Sequence, residues 1–304
     1  RCRLEKCFSV GMRKDFLLTE DELQQRRQKK RQEQNTDLTS STNDLPIVIS
    51  DEINLNNIAF DTLSIDDWIT IENLRSVFDS IFGNDTVQCA CVDVSDRNSA
   101  LISWSHFIQK VLLRFIDLFR HVKEFQELDL DDRLNLVKCN IFSLMVLSKC
   151  AHYSSENDCC SSDDNEMATN HRRFFMLCGA PNNLRDMFVN LVLSLVNITE
   201  QDPVILSLLS IILIVLPGLS MNENQPLLKD PLAITRVQSQ YAQLLWNYLV
   251  SKLGDEEACR YFIRLLNMIL QIQSDVQILR DFLRHQYMSS NIVDEMATLM
   301  QTIL

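Results

Sequence analysis

The chain has 304 residues, 46% hydrophobic and 23% charged, enough to bury one large core with or without a tail. Five glycines and six prolines are too few for a turn-rich β protein, so an all-α class is expected. Residues 1–33 hold ten Lys/Arg against six Asp/Glu, a net of +4, which leaves −16 on residues 34–304 of the chain's −12. A basic head on an acidic body confines polyanion contact to the head, and the body itself should repel nucleic acid.

The ten cysteines sit in a long, core-rich chain, and Cys139 and Cys150 fall on apolar faces, where a free thiol behaves as a small hydrophobe. A reducing compartment is therefore expected. Cys89/Cys91 and Cys159/Cys160 have no histidine at ligand spacing, so metal binding by them is not expected. The apolar run Val204–Leu216 ends at Pro217-Gly218 and is shorter than the ~20 residues a membrane span needs, so it is read as a buried helix and no membrane contact is expected. No Gly-rich phosphate loop occurs, and none of the five histidines stands in a nucleophile or metal pattern, so the chain is not expected to be an enzyme.

The chain begins Arg1-Cys2-Arg3-Leu4-Glu5-Lys6-Cys7-Phe8-Ser9-Val10-Gly11-Met12. This stretch closely resembles the last helix of a nuclear hormone receptor DNA-binding domain. The resemblance implies that Cys2 is the fourth thiolate of a zinc site whose partners lie upstream, and that Cys7 is packed and does not ligate. Structural zinc takes four ligands, so zinc is expected in a full-length protein and is not completed by this stretch. Residues 13–34 are polar with good helix formers and are dense in cations over Arg26–Arg31. They are read as a basic extension that touches phosphate or serves nuclear import, the bland alternative being a solvated helix face. Residues 35–63 are a hinge, opened by the polar, turn-prone stretch 35–50.

From residue 64 to 304 helical signals dominate. Ser64 with Asp67 starts a helix that stops at Gly83. Trp104, Ile108, Val111, Phe115, Leu118, Val122 and Phe125 form one apolar stripe, while Phe107, Leu112, Ile116 and Phe119 form a second. A helix with two apolar faces is sandwiched between layers. Asp129 followed by Asp132 is read as the cap of Leu130–His152. His171–Gly179 admits a short β-hairpin edge. Helices follow at Leu184–Ile198, at Pro203–Leu216 with Asp202 as N-cap, at Pro231–Leu253 before Gly254, at Asp255 to about Tyr287, and at Ile292–Leu304.

Phe115–Lys149, with F-x-x-L, an acidic cap and then D-D-R-L-N-L-V-K, resembles the signature of the nuclear receptor ligand-binding domain, with Arg133 where the family more usually has Gln. The resemblance implies a three-layer antiparallel helical sandwich, nuclear localisation and a small lipophilic ligand. Residues 12–30 most resemble the vitamin D receptor-like branch. The pocket is expected to be lined by Ser105, Ile108, Gln109 and Leu112 from the third helix, with Leu144, Ser148 and His152 from the fifth. Relatives often carry arginine where His152 stands, so a neutral ligand is expected. For each polar residue here, a satisfied core side chain is the competing reading.

Arg120 and Lys138 are expected to flank an apolar groove, where a cation clamps the carbonyl end of a bound helix. The family holds coregulator L-x-x-L-L helices this way. The clamp's carboxylate has two candidate registers: Glu295 in Ile292–Ala297, or Thr302 in Leu299–Leu304, where no negative charge is available. In the family the long helix from Asp255 forms a dimer seam, here read as Leu265, Leu266, Ile269, Ile272 and Val276 with Arg264, Gln271 and Gln273. A homodimer or a heterodimer with a retinoid X receptor-like partner is implied. The competing function is a ligand-independent dimerisation or repression scaffold of receptor descent.

Overall fold

The computed structural model describes residues 63–83, 92–153, 166–216, 228–290 and 292–303, all within the unit Ile58–Leu304. Cys2, Cys7, the basic segment, most of the hinge, Cys89/Cys91, Cys159/Cys160 and Pro217-Gly218 lie outside the described residues.

Helix α1 is Ile65–Phe82. Its capping box is complete: the Ser64 hydroxyl accepts from the Asp67 amide, and the Asp67 carboxylate accepts from the Ser64 amide, both at 3.1 Å. The long α2, Arg97–Arg120, starts from an Asp96 side chain that accepts from the amides of Asn98 and Ser99. Both of its apolar stripes are buried apart from the half-buried Ile116, with Leu101, Ile108, Leu112, Phe115 and Leu118 fully covered. The stripe outlasts the helix. After Arg120 the chain turns into the single-turn α3, Lys123–Gln126, whose Phe125 continues the buried row.

Helix α4 is Leu130–Ala151, and every residue from Asn140 to Cys150 is buried. It is long and apolar enough to cross a membrane, yet most of it is enclosed by neighbouring helices, as a central core helix is. Asp129 caps it as expected, accepting from the Asp131 amide. Asp132 has a different task. Its carboxylate is 1% exposed and accepts from the backbone amides of Lys229 (2.8 Å) and Asp230 (2.9 Å), fixing the start of a distant helix. Asn140 works similarly: its amide donates to the carbonyls of Ile214 (3.1 Å) and Leu216 (2.8 Å), which a helix C-terminus leaves unpaired.

Helix α5, Glu166–Leu177, replaces the hairpin edge expected at 171–179. Phe174 and Phe175 are buried while Met176 is exposed, and His171 contacts both Phe175 and Phe188. Those spacings of three and four are helical. No strand occurs among the described residues.

Helix α6 is Asn182–Thr199 and α7 is Pro203–Ile214. Between them Glu200 and Gln201 both adopt left-handed backbone (φ 51° and 55°). Gln201 is held there by its side-chain amide, which donates to the carbonyls of Cys150 and Tyr153 at the end of α4. Asp202 caps α7 and accepts from Tyr248 and Lys252. Val204–Ile214 is buried throughout, as its run of apolar residues predicts. Helix α8, Pro231–Leu253, ends at Gly254 (φ 77°), and α9 runs from Asp255 to Ser290. The predicted last helix is broken: a 3-10 turn, Val293–Glu295, precedes the short α10, Thr298–Ile303.

The helices stack in three layers, α1 and α2 on one face, α4, α7 and α8 in the middle, and α6 with α9 on the other. Glu124 of α3 accepts from Tyr241 (2.8 Å) and Gln240 (3.1 Å) of α8, tying the loop region to the middle layer. The all-α, three-layer expectation holds.

Candidate functional site

Two regions carry the residues singled out by sequence. One is the outer end of α2 with the C-terminal helix. Arg120 is the last residue of α2 and is largely exposed, 3.7 Å from Asp117. It lies on a shallow hollow of about 570 Å^3 shared with the end of α1 and walled by Ile81, Leu113 and Ile116. Lys138, half-buried on α4, is not among its walls. Leu113 and Leu134 expose about half of their surface nearby in sequence to the two cations.

Helix α10 packs on both α2 and α4, with Met300 wholly buried. The 3-10 turn that carries Glu295 packs instead on α9, and Glu295 is exposed. Thr302 belongs to α10, and its side chain lies outside the described residues. Ser105, expected in the pocket, contacts this C-terminal segment. It is fully buried, donates to the Ile102 carbonyl (2.7 Å) and accepts from the Ala297 amide (3.2 Å). The C-terminal end of α9 is secured by Tyr287, whose hydroxyl donates to the Leu101 carbonyl, and by Arg97, which donates to Gln286 and Ser289.

The second region is the interior. Ile108, Leu112 and Leu144 are fully enclosed, Gln109 is half-buried, and Ser148 is buried with its carbonyl accepting from the His152 ring (2.7 Å). His152 sits at the end of α4, edge-on to Phe82. None of these seven expected residues, Ser105 included, lines the apolar cavity found next to them.

That cavity lies one turn nearer the N-terminus of α2. Its walls are Trp104 and Phe107 of α2, Met145 and Lys149 of α4, Asn170, His171, Phe174 and Phe175 of α5, with Val92, Phe188 and Leu279. Trp104 stacks on Phe174 at 5.6 Å and on Phe142 at 6.2 Å. The free volume is about 20 Å^3, room for about one water molecule. Lys149 is 9% exposed, with its ammonium 5.2 Å from the centre of the Phe107 ring. His171 keeps some exposed ring, but its Nδ1 is sealed from solvent with no hydrogen-bond partner. Burial, then the positive charges of Lys149 and Arg185, lower its pKa to about 3, so the ring is neutral.

Sequence reading passed over the three polar residues of this cavity, Lys149, Asn170 and His171. Lys149 was legible as the lone cation in an otherwise apolar run, and His171 was hidden by the hairpin reading. Among the described residues, Cys139, Cys150, Cys178 and Cys259 are free thiols, and no group of His, Cys, Asp or Glu is arranged to hold a metal. Burial raises the Cys150 thiol to about 12, despite a contact with Thr199.

A search among curated proteins found no match. The family model for the ligand-binding domain of nuclear hormone receptors matches residues 101–285, the span from α2 almost to the end of α9, and so the chain belongs to that family.

Proposed function

We propose that this chain is a ligand-regulated transcription factor of the nucleus that recruits coregulators through the surface around α10. The observation that carries the reading is the seating of α10 on α2 and α4, the two helices that bear Arg120 and Lys138. A short helix bound there would place its carbonyl end against cations and its apolar residues against Leu113, Ile116 and Leu134. The register that puts Thr302 at the clamp is favoured, because Glu295 lies on the turn that packs on α9. The groove then lacks a carboxylate at its second end.

The affinity of an L-x-x-L-L peptide tests this. Lys138→Ala should weaken binding by roughly 1.5–3 kcal/mol, the worth of a charge-assisted contact. Glu295→Ala should be nearly silent, and Thr302→Glu should strengthen binding. A strong loss with Glu295→Ala assigns the clamp to the other register, and no response to any of the three rules out the groove.

DNA contact is proposed from the resemblance of residues 1–12 and the cations of 26–31, with zinc held by Cys2 and upstream partners. Dimerisation, with a second copy or a retinoid X receptor-like partner, would use α9. Leu265, Ile269, Ile272 and Val276 are buried in the protein's own core, whereas Ile263, Leu266, Leu270 and Ile278 are exposed. The exposed set is the better seam. The narrow cavity favours a second reading, a dimerising or repressing scaffold that takes no ligand. That reading predicts that no lipophile shifts the thermal midpoint.

A further inference from the structure

The corner where α2 runs through α3 into α4 has an uneven charge balance. Every carboxylate on residues 117–132 is already engaged. Asp117 pairs with Arg120 (3.7 Å), Glu127 with Lys123 (3.7 Å), and Asp129 and Asp131 with Lys229 (3.0 Å and 2.6 Å). Glu124 accepts from Tyr241 and Gln240, and Asp132 from two backbone amides. Arg133 and Lys138 are left without an ion pair among the described residues. Arg133 is nevertheless held in place. Its Nη1 donates to Gln126 Oε1 at 2.7 Å, and Gln126 Nε2 donates to the carbonyl of Phe119, the residue before Arg120, at 3.0 Å. Its Nε has no hydrogen-bond partner. A guanidinium anchored through one nitrogen has less freedom left to lose on binding, and its planar fork suits a carboxylate.

We infer that the groove beside α10 selects a partner helix with carboxylates just after its apolar motif, and that Arg133 reads them. This rests on the coregulator reading given above and names the partner's chemistry at that same surface. Leu134, which follows Arg133, is 48% exposed, and Lys138 lies one turn further along the same face of α4. A helix seated on Leu134 therefore brings its carbonyl end to Arg120, Arg133 and Lys138 together. At the other end of the groove α10, T-L-M-Q-T-I, has no acidic residue, and Glu295 lies on the turn that packs on α9. The partner's amide end thus meets no carboxylate from α10, and discrimination falls to the cationic end. A carboxylate near a helix C-terminus is unfavourable for the free helix, and here the three cations supply its counter-charge. Net charge works the other way. Residues 34–304 carry −16, which repels an acidic peptide from the surface at large, so a preference for one must arise locally.

The test uses three peptides with one L-x-x-L-L core. One has Glu-Glu directly after the core, one has Gln-Gln there, and the third has Glu-Glu ahead of the core. Fluorescence anisotropy measures the affinity of each for the whole chain. Glu-Glu after the core should bind about tenfold more tightly than Gln-Gln, since each exposed ion pair adds up to about fivefold. The gap should narrow at high ionic strength. Arg133→Gln keeps an amide donor for Gln126 and removes the charge, and it should bring those two peptides within about threefold of each other. Equal affinity for them in the unsubstituted chain, a preference undiminished by Arg133→Gln, or an equal gain from acids ahead of the core overturns the inference while the groove reading stands. Binding of none of the three, by a chain that circular dichroism shows to be folded, removes the groove and the inference with it.

Discussion

Replacing Ser105 with alanine should release the C-terminal helix without dismantling the core. The hydroxyl is fully buried and is the acceptor for the Ala297 amide at 3.2 Å. Its own donation to the Ile102 carbonyl is dispensable, because alanine is the better helix former. The loss therefore falls on the Ala297 N–H, left without a partner in a segment whose Met296, Ala297 and Met300 are nearly or fully buried. An unsatisfied buried donor costs about 1–3 kcal/mol, which is roughly a 5- to 150-fold fall in the ratio of docked to undocked α10. Short terminal helices open locally at free energies well below the global value, so most of that cost should appear there. Hydrogen exchange at Met300 and Gln301 reads it directly, and L-x-x-L-L peptide affinity reads its consequence. Met300→Ala should do the same, removing a buried side chain at a cost of about 2–5 kcal/mol. If global stability fell while exchange at 297–301 stayed at the wild-type rate, Ser105 would be an ordinary core hydroxyl and the tether argument would be wrong.

Asp132→Asn should lower global stability by roughly 2–4 kcal/mol in denaturant titration, because an amide keeps one acceptor for the two backbone donors of Lys229 and Asp230 and loses the charge; a change under 0.5 kcal/mol would refute the latch. His171, at 6.5 in the unfolded chain and about 3 in the fold, binds its proton only on unfolding between those values, so stability should fall as pH drops below about 6.5, by up to ~1.4 kcal/mol per pH unit. The His171→Phe variant should show a flatter profile from pH 6.5 to 4, and an unchanged slope counts against a neutral buried ring. Leu266→Arg combined with Leu270→Arg should shift any dimer toward monomer in sedimentation without lowering the thermal midpoint, since both residues are exposed; a folding defect instead would mean that they serve the core.

The architecture was legible because it rests on local signals that survive folding. The Ser64/Asp67 box, the Asp129 and Asp202 caps, the paired stripes of α2 and the glycine after α8 all stand in the structure as their residue types dictate. What failed to read were contacts set by tertiary neighbours. Asp132 has the spacing of a capping residue, and only the arrival of residues 229–230 gives its carboxylate a different partner. Ser105 has a pocket residue's position on α2, yet the chain's own C-terminus reaches it first. The cavity beside Trp104 and Phe107 was not legible either, because helical periodicity says which face is buried and not where the packing leaves a gap. On α9 the periodic residues were correctly apolar, but those counted for a seam are mostly the ones the core had taken.

The cavity and the C-terminal helix meet on a single turn of α2. Trp104 and Phe107 face the cavity, and Ser105 between them holds Ala297. A ligand that displaces Trp104 from its stack on Phe174 must move the backbone that also carries Ser105, since a helical turn is rigid and closely packed cores shift between discrete arrangements more readily than they deform. The 3.2 Å hydrogen bond to Ala297 is the contact most sensitive to that movement, because its length is set by two elements far apart in sequence. In the ligand-regulated reading, differential occupancy of the cavity becomes differential docking of α10. Linkage requires the effect to run equally in reverse, so a peptide that stabilises docked α10 changes ligand affinity by the same factor. Met300 and the Ser105 tether hold α10 in place. The docked state is then set mainly by packing around α2.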